Sequence, residues 1–120
     1  MLFGLVRTSV AGRPALTVRG ELDLATAPEL AAAVDTELAA TPGAFVLDLT
    51  GTTFLDSSGA RELVRIARKA STAGVTLHVL VPENNRPVRL TIDLLELGAF
   101  VPVVASQAEI PSQAGRDARP

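Results

Sequence analysis

The chain has 120 residues, 48% hydrophobic and 20% charged, enough for one globular core and too apolar for wholesale disorder. Eleven Lys and Arg against 13 Asp and Glu leave a net charge of −2, so no bulk field draws it to nucleic acid or an anionic membrane. The lack of cysteine excludes disulfides, thiol nucleophiles and cysteine metal sites, and fits a reducing, cytoplasmic setting.

In chain order, Met1 to Arg7 has neither a basic stretch nor a long apolar one and does not read as a signal peptide, and no later run has the roughly 18 apolar residues expected of a membrane span. Phe3 to Val10 and Ala15 to Gly20 predict two strands joined by the turn Ala11-Gly12-Arg13-Pro14, a β-hairpin. Thr26, with Pro28 and Glu29 behind it, has the pattern of a capping box. The helix it opens carries Ala27, Leu30, Ala31, Val34 and Leu38 on one face and stops at Pro42-Gly43. Ala44 to Leu49 is nearly continuously apolar, as expected of a central strand covered on both faces.

Thr50 to Thr53 reads as a turn leading to Phe54-Leu55 and Asp56-Ser57-Ser58-Gly59. A second amphipathic helix follows, with Ala60, Leu63, Val64, Ala67 and Ala70 at helical spacing and Gly74 as its stop. Val75 to Val81 is a further strand, and Val88, Thr91, Ile92 and Leu95 space out a third helix, with Gly98 as a left-handed stop. Ala99 to Ala105 gives a last strand, placed at an edge by Pro102. Residues 1–105 thus form the expected domain and 106–120 a flexible tail. The order β-β-α-β-α-β-α-β predicts an α/β fold: a mainly parallel sheet of four to five strands with an N-terminal hairpin and three helices. Glu21-Leu22-Asp23 and Asp56-Ser57-Ser58 then fall at carboxyl ends of strands, where such sheets carry their sites.

The chemistry available is narrow. The single histidine, His78, lies mid-strand and is read as a sheet-face residue, poorly placed to serve as base for the Asp56–Gly59 loop. No Gly-rich run ends in Gly-Lys-Ser/Thr, and any metal site would need scattered carboxylates, so no catalytic residue, metal or cofactor is expected. Asp56-Ser57-Ser58-Gly59 has two readings. One is a helix cap, in which Ser58 accepts an N–H bond and the preceding Asp favours the positive helix end. The other is a phosphoacceptor, because a phosphoryl group here would add about −1.5 to −2 charges beside free helix N–H groups.

Three segments make the chain resemble the anti-sigma factor antagonists, small bacterial STAS domains: Gly20-Glu21-Leu22-Asp23, Leu47-Asp48-Leu49 and Phe54-Leu55-Asp56-Ser57-Ser58-Gly59. The likeness spans roughly residues 3–105. It implies a non-enzymatic switch in which Ser58 is phosphorylated by an anti-sigma factor serine kinase and reset by a phosphoserine phosphatase. The unphosphorylated form binds the kinase and frees the sigma factor. Asp23, Asp56, Ser57, Gly59 and Arg61 then flank the phosphosite or touch the partner. Ala60 and Arg61 stand where many relatives carry a bulky aliphatic residue and a small one. From Arg61 to Lys69 the charge sums to +3, a surface suited to an acidic partner or a plain solvated helix face. Two alternatives are a scaffold subunit of a stress-sensing or lipid-transport assembly and a nucleotide-binding module, the latter opposed by the missing phosphate cradle. Nucleic acid and direct membrane insertion are not expected.

Overall fold

The computed structural model describes residues 2–40 and 42–111. Strands β1 (Gly4–Val10) and β2 (Arg13–Leu22) form the hairpin. Its turn uses Ala11 and Gly12, both at positive φ, which matches the twist of the flanking strands. Helix α1 (Ala27–Ala39) buries Ala27, Leu30, Val34 and Leu38, the expected face apart from the half-buried Ala31. Strand β3 (Ala44–Asp48) is central, between β2 and the strand β5 (Thr76–Leu80), and its four apolar residues are all buried. That is why its sequence runs apolar without alternation.

The stretch expected as a turn contains the short strand β4 (Thr52–Leu55), which pairs with the end of β2. Its threonines and Phe54 gave no alternating signal, because only Thr52 and Leu55 are buried. Helix α2 (Ser57–Thr72) buries Gly59, Ala60, Leu63, Ile66 and Ala70. It closes as expected at Gly74, whose φ of +73° lets Val75 N–H reach Ala70 O (2.8 Å) and Gly74 N–H reach Ser71 O (3.1 Å). Helix α3 (Arg86–Leu94) buries Val88 and Ile92, and the edge strand β6 (Val103–Val104) follows.

Two local expectations are corrected. Gly98 is not the left-handed residue after α3; Glu96 is, with φ 53°, and Leu97–Ala99 forms a 3-10 turn that buries Leu97. The need to seat Leu97 in the core outweighs the strain of a non-glycine residue there. At the start of α1, Thr26 makes no side-chain cap bond, because its hydroxyl is used by the preceding loop. Of the expected tail, Gln107–Glu109 forms a 3-10 turn closed by Ser106 and Glu109, and Ile110 is buried; residues 112–120 lie outside those described.

The sheet runs β1-β2-β3-β5-β6, with one antiparallel pairing and the rest parallel. The main core joins one sheet face to the helices, through Leu16, Val18, Phe45, Leu47, Leu77 and Val79. On the opposite face Val10, Ala15, Val46 and Leu80 make a smaller cluster with Ile110. This face also holds Arg13, 1% exposed, with Nη1 3.4 Å from His78 Nδ1. Burial, and then the Arg13 charge, hold the His78 pKa below its ordinary 6.5.

A base whose folded pKa is depressed binds fewer protons folded than unfolded. The associated stability is complete above pH 6.5 and is lost as pH falls from there toward the folded pKa. His78→Gln should therefore flatten the acid side of a urea-unfolding series. Identical pH dependence in the variant would assign that slope to other groups.

Candidate functional site

The site is set by how β2 is shared. Its first half pairs with β3 (Ala15 opposite Val46) and its last residues pair with β4 (Leu22 opposite Leu55). The chain leaves these two strand ends at Asp23 and Asp56, so two acidic loops start side by side at the carboxyl end of the sheet.

The first loop is folded by its own polar groups. Asp23 Oδ1 accepts the N–H groups of Ala25 (3.0 Å) and Thr26 (3.1 Å). The Thr26 hydroxyl donates to Glu21 O (2.8 Å) and accepts from Asp23 N–H (2.9 Å). In the second loop Asp56, not Ser58, is the helix N-cap: its backbone is extended and its Oδ1 accepts from Gly59 N–H at 2.9 Å. A cap must lie outside the helix, and α2 already includes Ser57 and Ser58. Both serines therefore stand on the first turn with hydroxyls uncommitted among the described residues, Ser57 exposed and Ser58 half-buried.

Gly59 lets this turn sit directly on β2. A Cβ at that position would lie 2.5 Å from Leu22 O and 2.7 Å from Leu55 Cδ1, so only glycine fits without displacing backbone. Three polar side chains around α3, none of them expected to bond to the sheet, hold the strand ends from behind. Thr91 Oγ1 donates to Leu55 O (2.7 Å), Asn85 Nδ2 donates to Leu49 O (3.0 Å) and Thr52 O (2.9 Å), and Arg89 donates to Val81 O (2.6 Å). Buried carbonyls need such partners where the ladder stops. The sequence signal was limited to Thr91, which shares its helix face with Val88 and Ile92.

Ser58 opens onto a groove of about 560 Å³ between the start of α1 and the outer face of α2, lined also by Leu24, Pro28, Arg61, Val64 and Arg68. Along α2, Arg65 pairs with Glu62 (2.6 Å) and reaches Asp35 (3.5 Å), while Lys69 pairs with Asp35 (2.6 Å). The bond from Lys69 holds the Asp35 carboxyl below the usual range, and the bond to Glu62 raises the Arg65 pKa. The structure brings Asp23, Asp56, Ser57, Ser58, Gly59 and Arg61 to one end of the sheet. His78 is placed elsewhere, on the opposite sheet face beside Arg13, so Ser58 has no histidine base. No cluster of His, Asp and Glu among the described residues could hold a metal, and no described helix is long and apolar enough to cross a membrane.

Helices packed on one face of a mostly parallel sheet, with a capped, serine-bearing helix entrance beside an acidic loop, define a small α/β domain. The STAS domain family model matches residues 7–110, and the chain belongs to that family. Among solved structures it is similar to an anti-sigma factor antagonist from Mycobacterium paratuberculosis, with 27% identity, 88% of this chain and 87% of that one covered, and a TM-score of 0.76. It shares its fold with the anti-sigma factor antagonist SpoIIAA, solved in its unphosphorylated form (18% identity, 99% and 100% covered, TM-score 0.69). The same fold occurs within SLC26A9 (19% identity, 88% of this chain but 20% of that one, TM-score 0.62). A comparison with curated proteins finds no match.

Gly59→Ala should cost about 1–3 kcal/mol in denaturant unfolding through overpacking. Asp56→Ala should cost about 1 kcal/mol through the lost cap. A Gly59→Ala variant as stable as wild type would mean that α2 can lift off β2 freely.

Proposed function

We propose that this chain is an anti-sigma factor antagonist, a cytoplasmic, non-enzymatic switch whose partner binding is set by phosphorylation of Ser58. Unphosphorylated, it binds an anti-sigma factor that is itself a serine kinase, and the sigma factor is released. The kinase then transfers the γ-phosphoryl group of ATP to Ser58 Oγ: the Pγ–O bond to the β-phosphate breaks, ADP leaves, the serine proton passes to a base of the kinase, and the complex parts. A phosphoserine phosphatase restores the binding form. The observation that carries this reading is the uncommitted Ser58 hydroxyl on the first turn of α2, at the mouth of an open groove. The likeness to the mycobacterial antagonist supports it.

Electrostatics make the switch workable without refolding. A phosphate on Ser58 brings about −1.5 to −2 charges to a helix N-terminus, which favours an anion, although Asp56 nearby opposes it. At an interface, the same charge against a like or unpaired buried charge costs several kcal/mol. Asp56 acts as the cap that exposes the serines, and Asp23 shapes the neighbouring loop that the partner meets. Ser57 and Gly59 frame the acceptor.

The purified chain, incubated with its cognate kinase and ATP, should gain one phosphate, located by mass spectrometry at Ser58. Ser58→Ala should bind the kinase constitutively, and Ser58→Glu should lose at least tenfold in affinity, about 1.4 kcal/mol. Phosphate elsewhere, or unchanged binding in Ser58→Glu, would overturn the assignment.

A further inference from the structure

The groove beside Ser58 has a charge pattern of its own. Positions 58, 61, 65 and 68 recur every three or four residues, so they lie along one face of α2. Three of them are arginines, and they are not equivalent. Arg65 is neutralised by Glu62 and Asp35, and Lys69 on the next row by Asp35. Arg61 and Arg68 are exposed and have no ion-pair partner among the described residues. Seven residues apart, they stand about 10 Å from each other along the helix. Apolar surface accompanies them: Leu24 is 75% exposed at the groove and Val64 is half-buried in it.

We propose that this groove docks an acidic amphipathic helix of the partner protein. An apolar side chain of that helix seats on Leu24 and Val64, and two carboxylates two turns apart pair with Arg61 and Arg68. The inference rests on the proposed role of Ser58 and gives it a mechanism. A phosphate three residues before Arg61 supplies that arginine with an intramolecular partner and sets negative charge where the incoming carboxylate would lie. Release is then a competition for one guanidinium.

The test uses the full chain and two synthetic helical peptides sharing one leucine-centred frame, the first with Glu at two positions seven apart, the second with Lys there. Amide shifts of the isotope-labelled protein should move at Leu24, Arg61, Val64 and Arg68 with the Glu peptide only, and added salt should weaken the effect. The double variant Arg61→Ala/Arg68→Ala should bind the Glu peptide about tenfold more weakly, as expected for two exposed ion pairs. Equal response to both peptides, shifts elsewhere, or full binding by the double variant would overturn the proposal. So would a dimer of the chain alone, seen by sedimentation and abolished by the double variant, since the groove would then belong to a second copy. If the Glu peptide binds wild type and Ser58→Glu equally, the groove assignment stands and the switching role of Ser58 fails. If Ser58 is phosphorylated and controls kinase binding while the Glu peptide is ignored, the switch stands and the groove assignment fails.

Discussion

One carbonyl oxygen, that of Leu22, ties the two loops of the candidate site together. It ends β2, accepts the N–H of Asp56 at 3.3 Å, and lies where a Cβ on residue 59 would be only 2.5 Å away. The last residue of β2 therefore sets both where the Asp56 loop begins and how closely α2 approaches the sheet. Any larger residue at position 59 would push the helix outward and carry Ser57 and Ser58 with it. That both serine hydroxyls are uncommitted among the described residues is a consequence of this packing. Asp56 caps the helix and α3 secures the strand ends, so the serines have no structural work to do.

Charge on α2 is partitioned by its neighbours. Asp35 on α1 faces Lys69 and Arg65, and Glu62 faces Arg65, so Arg65 and Lys69 are neutralised. The +3 read along this segment is therefore not spread evenly; its uncompensated part sits at Arg61 and Arg68, on the row that carries Ser58. Exposed ion pairs of this kind contribute little to stability, typically 0–1 kcal/mol. Their larger effect is to decide which guanidinium groups are left unpaired at the surface.

The opposite sheet face follows a different logic. Its small apolar cluster takes in Ile110, just after the 3-10 turn Gln107–Glu109, rather than the buried faces of α1, α2 and α3, and it holds the buried Arg13 next to His78. Titration of His78 concerns this back face and the stability of the sheet. The groove beside Ser58 lies on the helix side, so the acid-linked loss of stability acts through a part of the domain separate from that groove.

Much of this was legible in the chain by itself. Helical and strand periods in α1, α2, β3 and β5, the stops at Pro42-Gly43 and Gly74, and the Asp-Ser-Ser-Gly turn specified the layer order and put the serines at a helix entrance. These signals are local, set by burial of one face and by backbone freedom, so sequence carries them directly. Tertiary structure alone decided the rest. Thr26 gave up its capping role because Glu21 O was within reach, Asp56 took the cap that Ser58 could have held, and Thr52 to Leu55 became a strand because β2 had unpaired length to offer. Which basic groups of α2 stay unpaired depends on Asp35, 34 residues before Lys69 in sequence. Hydrogen-bond and charge partners of this sort are chosen by distance in space, and no period along the chain encodes them.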